Sequence, residues 1–289
     1  MVIENCDLPD IQNTRPNIQI PIRQVGVENV EVPFLLEARG DHSFYSLVAN
    51  VSMRTNIGFD VKGVSMSRFI GTLKEYLGKP LKQKLIYDIL LKMKNNMKTR
   101  DAYMKFDFKL PKIRKSPESP NEFPLYYRCS FEGQLLTSLA GPVFKFYQGV
   151  RVQYASYCPC SSELCNHLNE CGSSGFPHAQ RSFANVIVAT KEPDYVWLED
   201  IIDVVESSIA TLPYPIIKRI DERKIAEVAS QNPIFVEDAI RQISKSLDSK
   251  QEFYDWFVKC SHEESIHTSE AIAMTWKGID GGFSYNFSI

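Results

Sequence analysis

Along the chain the spacing of apolar residues changes several times, and each change marks an element. Between Phe44 and Met53, Leu47, Ala49, Val51 and Met53 recur at every second position, as in a strand with one buried face. From Met66 the spacing lengthens. Met66, Phe69, Ile70, Leu73 and Leu77 follow a helical period that Gly78 and Pro80 bring to an end. Leu81, Leu85, Ile89 and Met93 predict a second helix, with Lys92, Lys94 and Lys98 near its C-terminus, where cations suit the helix dipole. "YMKFDFKL" then restores strict alternation, with Met104, Phe106, Phe108 and Leu110 set against Lys105, Asp107 and Lys109. "KIRKSPESPNEFP", Lys112 to Pro124, reads as a proline-broken hairpin loop and "LYYRCSFEGQLL" as the returning strand.

The second half repeats this order. "FKFYQGVRVQYASY" places Phe144, Phe146, Val150, Val152 and Tyr154 on one face, and "SFANVIVAT" supplies a second strand beyond a cysteine-rich loop. Two helical stretches follow. One, from Trp197 to Ile209, carries Leu198, Ile201, Ile202, Val205 and Ile209; the other, from Pro233 to Leu247, carries Val236, Ile240, Ile243 and Leu247. Strands near Phe253–Cys260 and Ala271–Trp276 close the chain. Each half therefore reads strand, strand, helix, helix, strand, strand, which predicts an α+β protein of two units, each an antiparallel four-stranded sheet with helices on one face. The expected units are residues 1–140, with an extended arm over about 1–20, and 141–289, divided near "SLAGPV" (Ser138–Val143). Sheets of this kind leave edges to be paired, so a homo-oligomer is expected.

Composition narrows the function. The 289 residues are 44% hydrophobic, enough for a sizeable core, and 33 Lys+Arg against 35 Asp+Glu give a net charge of -2. That balance offers no electrostatic footprint for nucleic acid or an anionic membrane surface. The N-terminal stretch has neither a basic region nor an apolar run, and no segment approaches the length of a membrane span, which predicts a cytoplasmic protein. Thiols stay reduced there, and seven cysteines cannot all pair internally.

Four of those cysteines lie in "SYCPCSSELCNHLNECGSSGFPHAQRS", Ser156 to Ser182, together with two of the five histidines. Cys158 and Cys160 lack the Cys-x2-Cys spacing of a zinc knuckle, and Cys165 and Cys171 sit in a Ser, Asn and Gly rich insertion. The residues themselves leave two readings open. One is a structural zinc site; the other is an open site to which this loop gives one Cys and one His while "KRIDE" (Lys218–Glu222) and "ESIH" (Glu264–His267) give the rest.

Seven motifs, "PIRQVGV" (Pro21–Val27), "KGVSMSRF" (Lys62–Phe69), "CPCS" (Cys158–Ser161), "HAQRS" (His178–Ser182), "IKRIDE" (Ile217–Glu222), "NPIFVEDAIR" (Asn232–Arg241) and "ESIH", stand in an order that closely resembles the type IB GTP cyclohydrolases. The resemblance implies tandem tunnelling-fold (T-fold) units of ββααββ order, a homotetramer with active sites between subunits, and conversion of GTP and water to formate and 7,8-dihydroneopterin triphosphate. It implies metal ligation by Cys158, Glu222 and His267 with His178 beside the ion, the metal being zinc, manganese or ferrous iron. His178 would shuttle protons, Cys160 would act as an alternative ligand or a thiol packed nearby, and Glu237 would anchor the N–H edge of the purine. Arg68, Arg181, Lys218 and Arg219 would hold the triphosphate. Two departures stand out: Ser65 where the family often has His, and the longer insertion with Cys165, His167 and Cys171. The alternatives are an archaeal-type enzyme yielding a cyclic phosphate and a noncatalytic zinc-stabilised scaffold.

Overall fold

A computed structural model describes residues 11–40, 43–190, 196–280 and 282–283. Among them lie eight strands and six α-helices: β1 (Ile22–Glu37), β2 (Phe44–Ile57), α1 (Met66–Lys74), α2 (Gln83–Met97), β3 (Ala102–Lys115), β4 (Glu122–Ser138), β5 (Gly141–Tyr157), α3 (Pro159–Glu170), β6 (Ala179–Ala189), α4 (Leu198–Ser208), α5 (Arg219–Gln231), α6 (Val236–Asp248), β7 (Asp255–Glu263) and β8 (Glu270–Trp276). The strands are hydrogen-bonded to their neighbours in chain order. The architecture is α+β.

Two compact units emerge. One runs as far as Phe108 and takes in Phe131–Phe146; the other holds Lys109–Ser130 and the chain from Tyr147 onward. The turn at 138–141, the division that the sequence suggests, belongs to the first unit, and β3, β4 and β5 each contribute to both.

In the first unit β1 and β2 pair antiparallel from Ile22↔Ile57 to Glu37↔Phe44, and β2 pairs β3 through Ala49↔Phe108 to Thr55↔Ala102. The alternation read from sequence is the burial pattern here: Ala49, Val51, Met53, Met104, Phe106 and Phe108 are all in the core. Helix α2 lies against β4 where Gly133 leaves room, since a Cβ there would collide with the Ile86 and Leu90 side chains. Helix α1 corrects one expectation. Phe69 and Leu73 are buried, but Met66, Ile70 and Leu77 are exposed, so the core covers a narrower stripe than the apolar spacing outlines.

The second unit pairs β5 with β6, β6 with β7 and β7 with β8, all antiparallel. Helix α6 packs on β7, β8 and α4, burying Val236, Ala239, Ile240, Ile243 and Leu247. Two helices stand beyond the strand, strand, helix, helix, strand, strand order. The cysteine segment, expected as a loop, is helix α3, with Cys158 at its N-cap and Pro159 at its first position, where a missing N–H costs nothing. Helix α5 separates the two helices that the sequence predicts; it buries only Asp221 and Ala229, too little for an apolar stripe to announce it. At the chain's end the buried Asp255 carboxylate accepts the N–H groups of Gly278 (3.0 Å) and Phe283 (2.7 Å), which holds Phe283 against Tyr147 and Phe257.

Candidate active site

The site grows out of strand register. On β5, β6 and β7 the even-numbered side chains face the core, and Val152, Ala184 and Cys260 form an apolar rung across the three strands. The next rung is Tyr154, Ser182 and His262, and the one after contains Ser156 and Gln180. These five are polar yet buried. Past the ends of β5 and β6 the ladder delivers Cys158 and His178 side by side, joined by a hydrogen bond from Cys158 N–H to the His178 carbonyl (3.3 Å).

Burial of so many polar groups is tolerated because they satisfy one another. Ser156 Oγ donates to Gln180 Oε1 at 2.6 Å and lies 2.8 Å from Ser182 Oγ and 3.2 Å from His262 Nδ1. The other imidazole nitrogen, Nε2, is 2.9 Å from the Tyr154 hydroxyl. Burial pushes the His262 pKa down to about 4, against the opposing pull of the Glu264 and Glu237 carboxylates. Burial likewise drives the Tyr154 phenol far above its ordinary range, with the Cys260 thiol adding to the rise, and pushes Cys260 up to about 12. The network is therefore neutral throughout the physiological range.

His178 is different. Its Nδ1 is buried without a hydrogen-bond partner among the described residues and lies 3.9 Å from a Glu264 carboxylate oxygen. An orphaned imidazole nitrogen beside a free thiol suits a metal or substrate contact. All six described cysteines are unpaired.

These groups open onto a cavity of about 590 Å³ lined by Cys158, Cys160, His178, Gln180, Glu237, His262, Glu264 and His267, with Ile234, Phe235, Val236 and Ile266 as apolar walls. Of the residues singled out in the sequence, Cys158, Cys160, His178, Glu237 and His267 meet here. Cys160, in the first turn of α3, is exposed. Glu222 is exposed on α5 and does not line the cavity; among the described residues no three His, Cys, Asp or Glu side chains converge as a metal centre within one chain. Its neighbour Asp221 explains the local structure. Buried Asp221 accepts the N–H groups of Lys218, Glu118 and Ser119 and the Ser119 hydroxyl, pinning the start of α5 to the β3–β4 turn. Burial opposes ionisation, but these hydrogen bonds hold the carboxyl well below the usual range.

None of the four cations lines this cavity. Arg181 is exposed on β6, one position from Gln180 and so on the opposite face. Lys218 and Arg219 begin α5. Arg68 lines a cavity of about 870 Å³ in the first unit, with Ser65, Asp60, Lys98 and Arg100. The sequence reading gives no role to Ser156, Gln180 or His262, and takes Tyr154 only as a core position and Glu264 only as part of "ESIH". Extending the period-two pattern of β5 past Tyr154, and of β6 and β7 likewise, reaches Ser156, Gln180 and His262.

Fold and site together define an α+β enzyme whose cavity, lined by Cys, His and Glu, sits at the end of a sheet. The model of the type I GTP cyclohydrolase FolE2 family matches residues 8–273, and the chain belongs to that family. It is 34% identical over 272 residues to GTP cyclohydrolase FolE2 of Geobacter sp. (strain M21), covering 94% of this chain and 95% of that one. It is 32% identical to GTP cyclohydrolase FolE2 of Pseudothermotoga lettingae, covering 93% and 98%. Among solved structures, the uricase from Arthrobacter globiformis superposes with a TM-score of 0.57 over 91% of this chain and 96% of that one at 5% identity. The uricase from Bacillus fastidious gives 0.54 over 88% and 92% at 8% identity. The likeness to the uricases is one of fold alone.

Proposed function

We propose that this protein is a metal-dependent GTP cyclohydrolase of folate-type pterin biosynthesis, of the IB branch, which converts GTP and water to formate and 7,8-dihydroneopterin triphosphate. The observation that carries the reading is the convergence of Cys158, His178, Glu237 and His267 on one cavity in a chain of the FolE2 family. The tandem T-fold is the arrangement that the family resemblance implies for its α+β architecture.

The donor set fits a divalent ion. A thiolate, an imidazole and a carboxylate suit zinc, and manganese or ferrous iron for the nitrogen and oxygen donors. Cys158 and His267 would hold it with His178 beside it, and Glu222 is the remaining donor implied by the resemblance. When bound, such an ion makes water acidic enough to serve as a nucleophile near neutral pH.

The remaining work falls to the chain's own groups. Glu237 can accept two parallel hydrogen bonds from the N–H edge of guanine, fixing the ring in the cavity. His178 is suited to pass protons as water adds at C8 and the imidazole ring opens, and again as a second water releases formate. Glu264 places a carboxylate oxygen 3.9 Å from His178 Nδ1, on the cavity side of that imidazole. The triphosphate requires cations, and the absence of Arg68, Arg181, Lys218 and Arg219 from this cavity's lining supports a site completed by a second copy, in a homotetramer. No described helix is long and apolar enough to cross a membrane, and the chemistry suits the cytoplasm.

The test combines metal analysis with formate release. Cys158→Ala and His267→Ala should each lose bound metal and activity together. Glu222→Ala should do the same if α5 supplies the remaining ligand; retained metal would remove Glu222 from the set. Full metal content and turnover in Cys158→Ala or His267→Ala would refute the site.

A further inference from the structure

We propose that Gln180 is a substrate-binding residue that donates its amide N–H groups to the acceptor edge of the purine, its O6 and N7. The inference rests on the GTP reading above and deepens it. Gln180 lines the cavity yet is nearly inaccessible, and the placement of its amide sets the direction of the hydrogen bonds behind it. Ser156 commits its proton to Gln180 Oε1. Ser156 Oγ must then accept from its other neighbours, the Ser182 hydroxyl and His262 Nδ1–H. With its proton on Nδ1, the neutral imidazole accepts from the Tyr154 hydroxyl at Nε2. Tyr154, Ser156, Ser182 and His262 thus each find a partner within the relay, and the amide is locked by its oxygen. Gln180 Nε2, on the other branch, has no hydrogen bond among the described residues, and it belongs to a residue of the cavity wall.

The chemistry complements Glu237. A carboxylate receives the donor edge of guanine, and a fixed amide N–H is what its acceptor edge needs. Four buried polar side chains behind Gln180 are a costly way to hold an amide unless its orientation matters. A site built to hydrogen-bond a ligand group discriminates strongly when one partner is removed.

The test uses the metal-loaded enzyme and the variant Gln180→Glu, which keeps the acceptor facing Ser156 and loses both N–H donors. KM for GTP should rise about tenfold or more, kcat should change less, and metal content should stay at the wild-type value. A Gln180→Glu protein with KM within twofold of wild type would overturn the assignment, showing that the amide presents its carbonyl to the cavity or does not touch the substrate. Should Gln180→Glu fold poorly, Gln180→Met, similar in size and unable to donate, is held to the same criterion. Equilibrium dialysis with GTP separates the two levels of inference. Wild type that binds GTP without releasing formate would sink the reaction but leave the Gln180 comparison intact. Equal Kd values for wild type and variant would sink the Gln180 role whatever the turnover.

Discussion

Acidification should weaken the fold through His262, and the size of the effect follows from its surroundings. In an unfolded chain the imidazole titrates at its ordinary 6.5; in the fold it is pushed down to about 4. Two oxygens already occupy its nitrogens, Tyr154 from β5 at Nε2 and Ser156 from β5 at Nδ1. The Cys260 thiol, on β7 with His262, lies against Tyr154, and the carboxylates of Glu264 and Glu237 only partly offset the burial. Because the folded pKa is the lower one, the unfolded state binds the extra proton. Stability is therefore complete above about 6.5 and is lost as pH falls toward 4. Between pH 7 and pH 5 the loss is about 2 kcal/mol, and about 3 kcal/mol when the transition is complete. Denaturant unfolding at the two pH values, at one protein concentration, measures it. Other carboxylates and histidines also titrate, so the comparison is with His262→Gln, in which this contribution is absent. The wild-type loss between pH 7 and 5 should exceed the variant's by about 2 kcal/mol. Parallel losses in the two proteins would show that His262 is not held neutral by burial.

Three further outcomes follow from the geometry. Glu237→Gln should keep its metal and raise KM for GTP by about tenfold, checked by metal analysis beside initial rates; near-wild-type turnover at low GTP would remove Glu237 from the anchoring role. Asp221→Asn should lower the melting temperature by several degrees at neutral pH, since an anionic acceptor of four donors is lost at the start of α5; calorimetry decides, and an unchanged midpoint would argue against the cap. Gly26→Ala should cost about 1–3 kcal/mol or more, because a Cβ there would collide with the Met53 carbonyl across the β1–β2 pair; equilibrium unfolding reads it.

The strands were legible because burial on one face writes itself as period two. Met104, Phe106, Phe108 and Leu110 are buried as their alternation with Lys105, Asp107 and Lys109 implies. The Lys112–Pro124 segment is the exception, since β3 continues to Lys115 and β4 resumes at Glu122, leaving a shorter turn. Helix α3 was hidden by its Ser and Asn content, which local propensity assigns to turns, and α5 by its near-absence of buried residues. Motif matching found the cavity's reactive residues, while the support beneath them follows from strand register instead. Tyr154, Ser156 and His262 carry no motif of their own, and only the pairing of three strands brings them under Cys158 and His178. Glu222 shows the reverse. Its role rests on the family pattern, whereas in a single chain it stands outside the cavity.

The most direct test of the proposed chemistry is to incubate metal-free protein with GTP, adding zinc, manganese or ferrous iron in turn, and to follow formate release with the mass of the pterin product. Formate and 7,8-dihydroneopterin triphosphate appearing together, with at least one of these metals, is the result that the cavity's donor set predicts. A cyclic phosphate product would move the protein to the archaeal-type reaction. No formate with any metal, from protein shown to be folded and oligomeric, would contradict the assignment and leave the Cys158–His178 pair a structural feature.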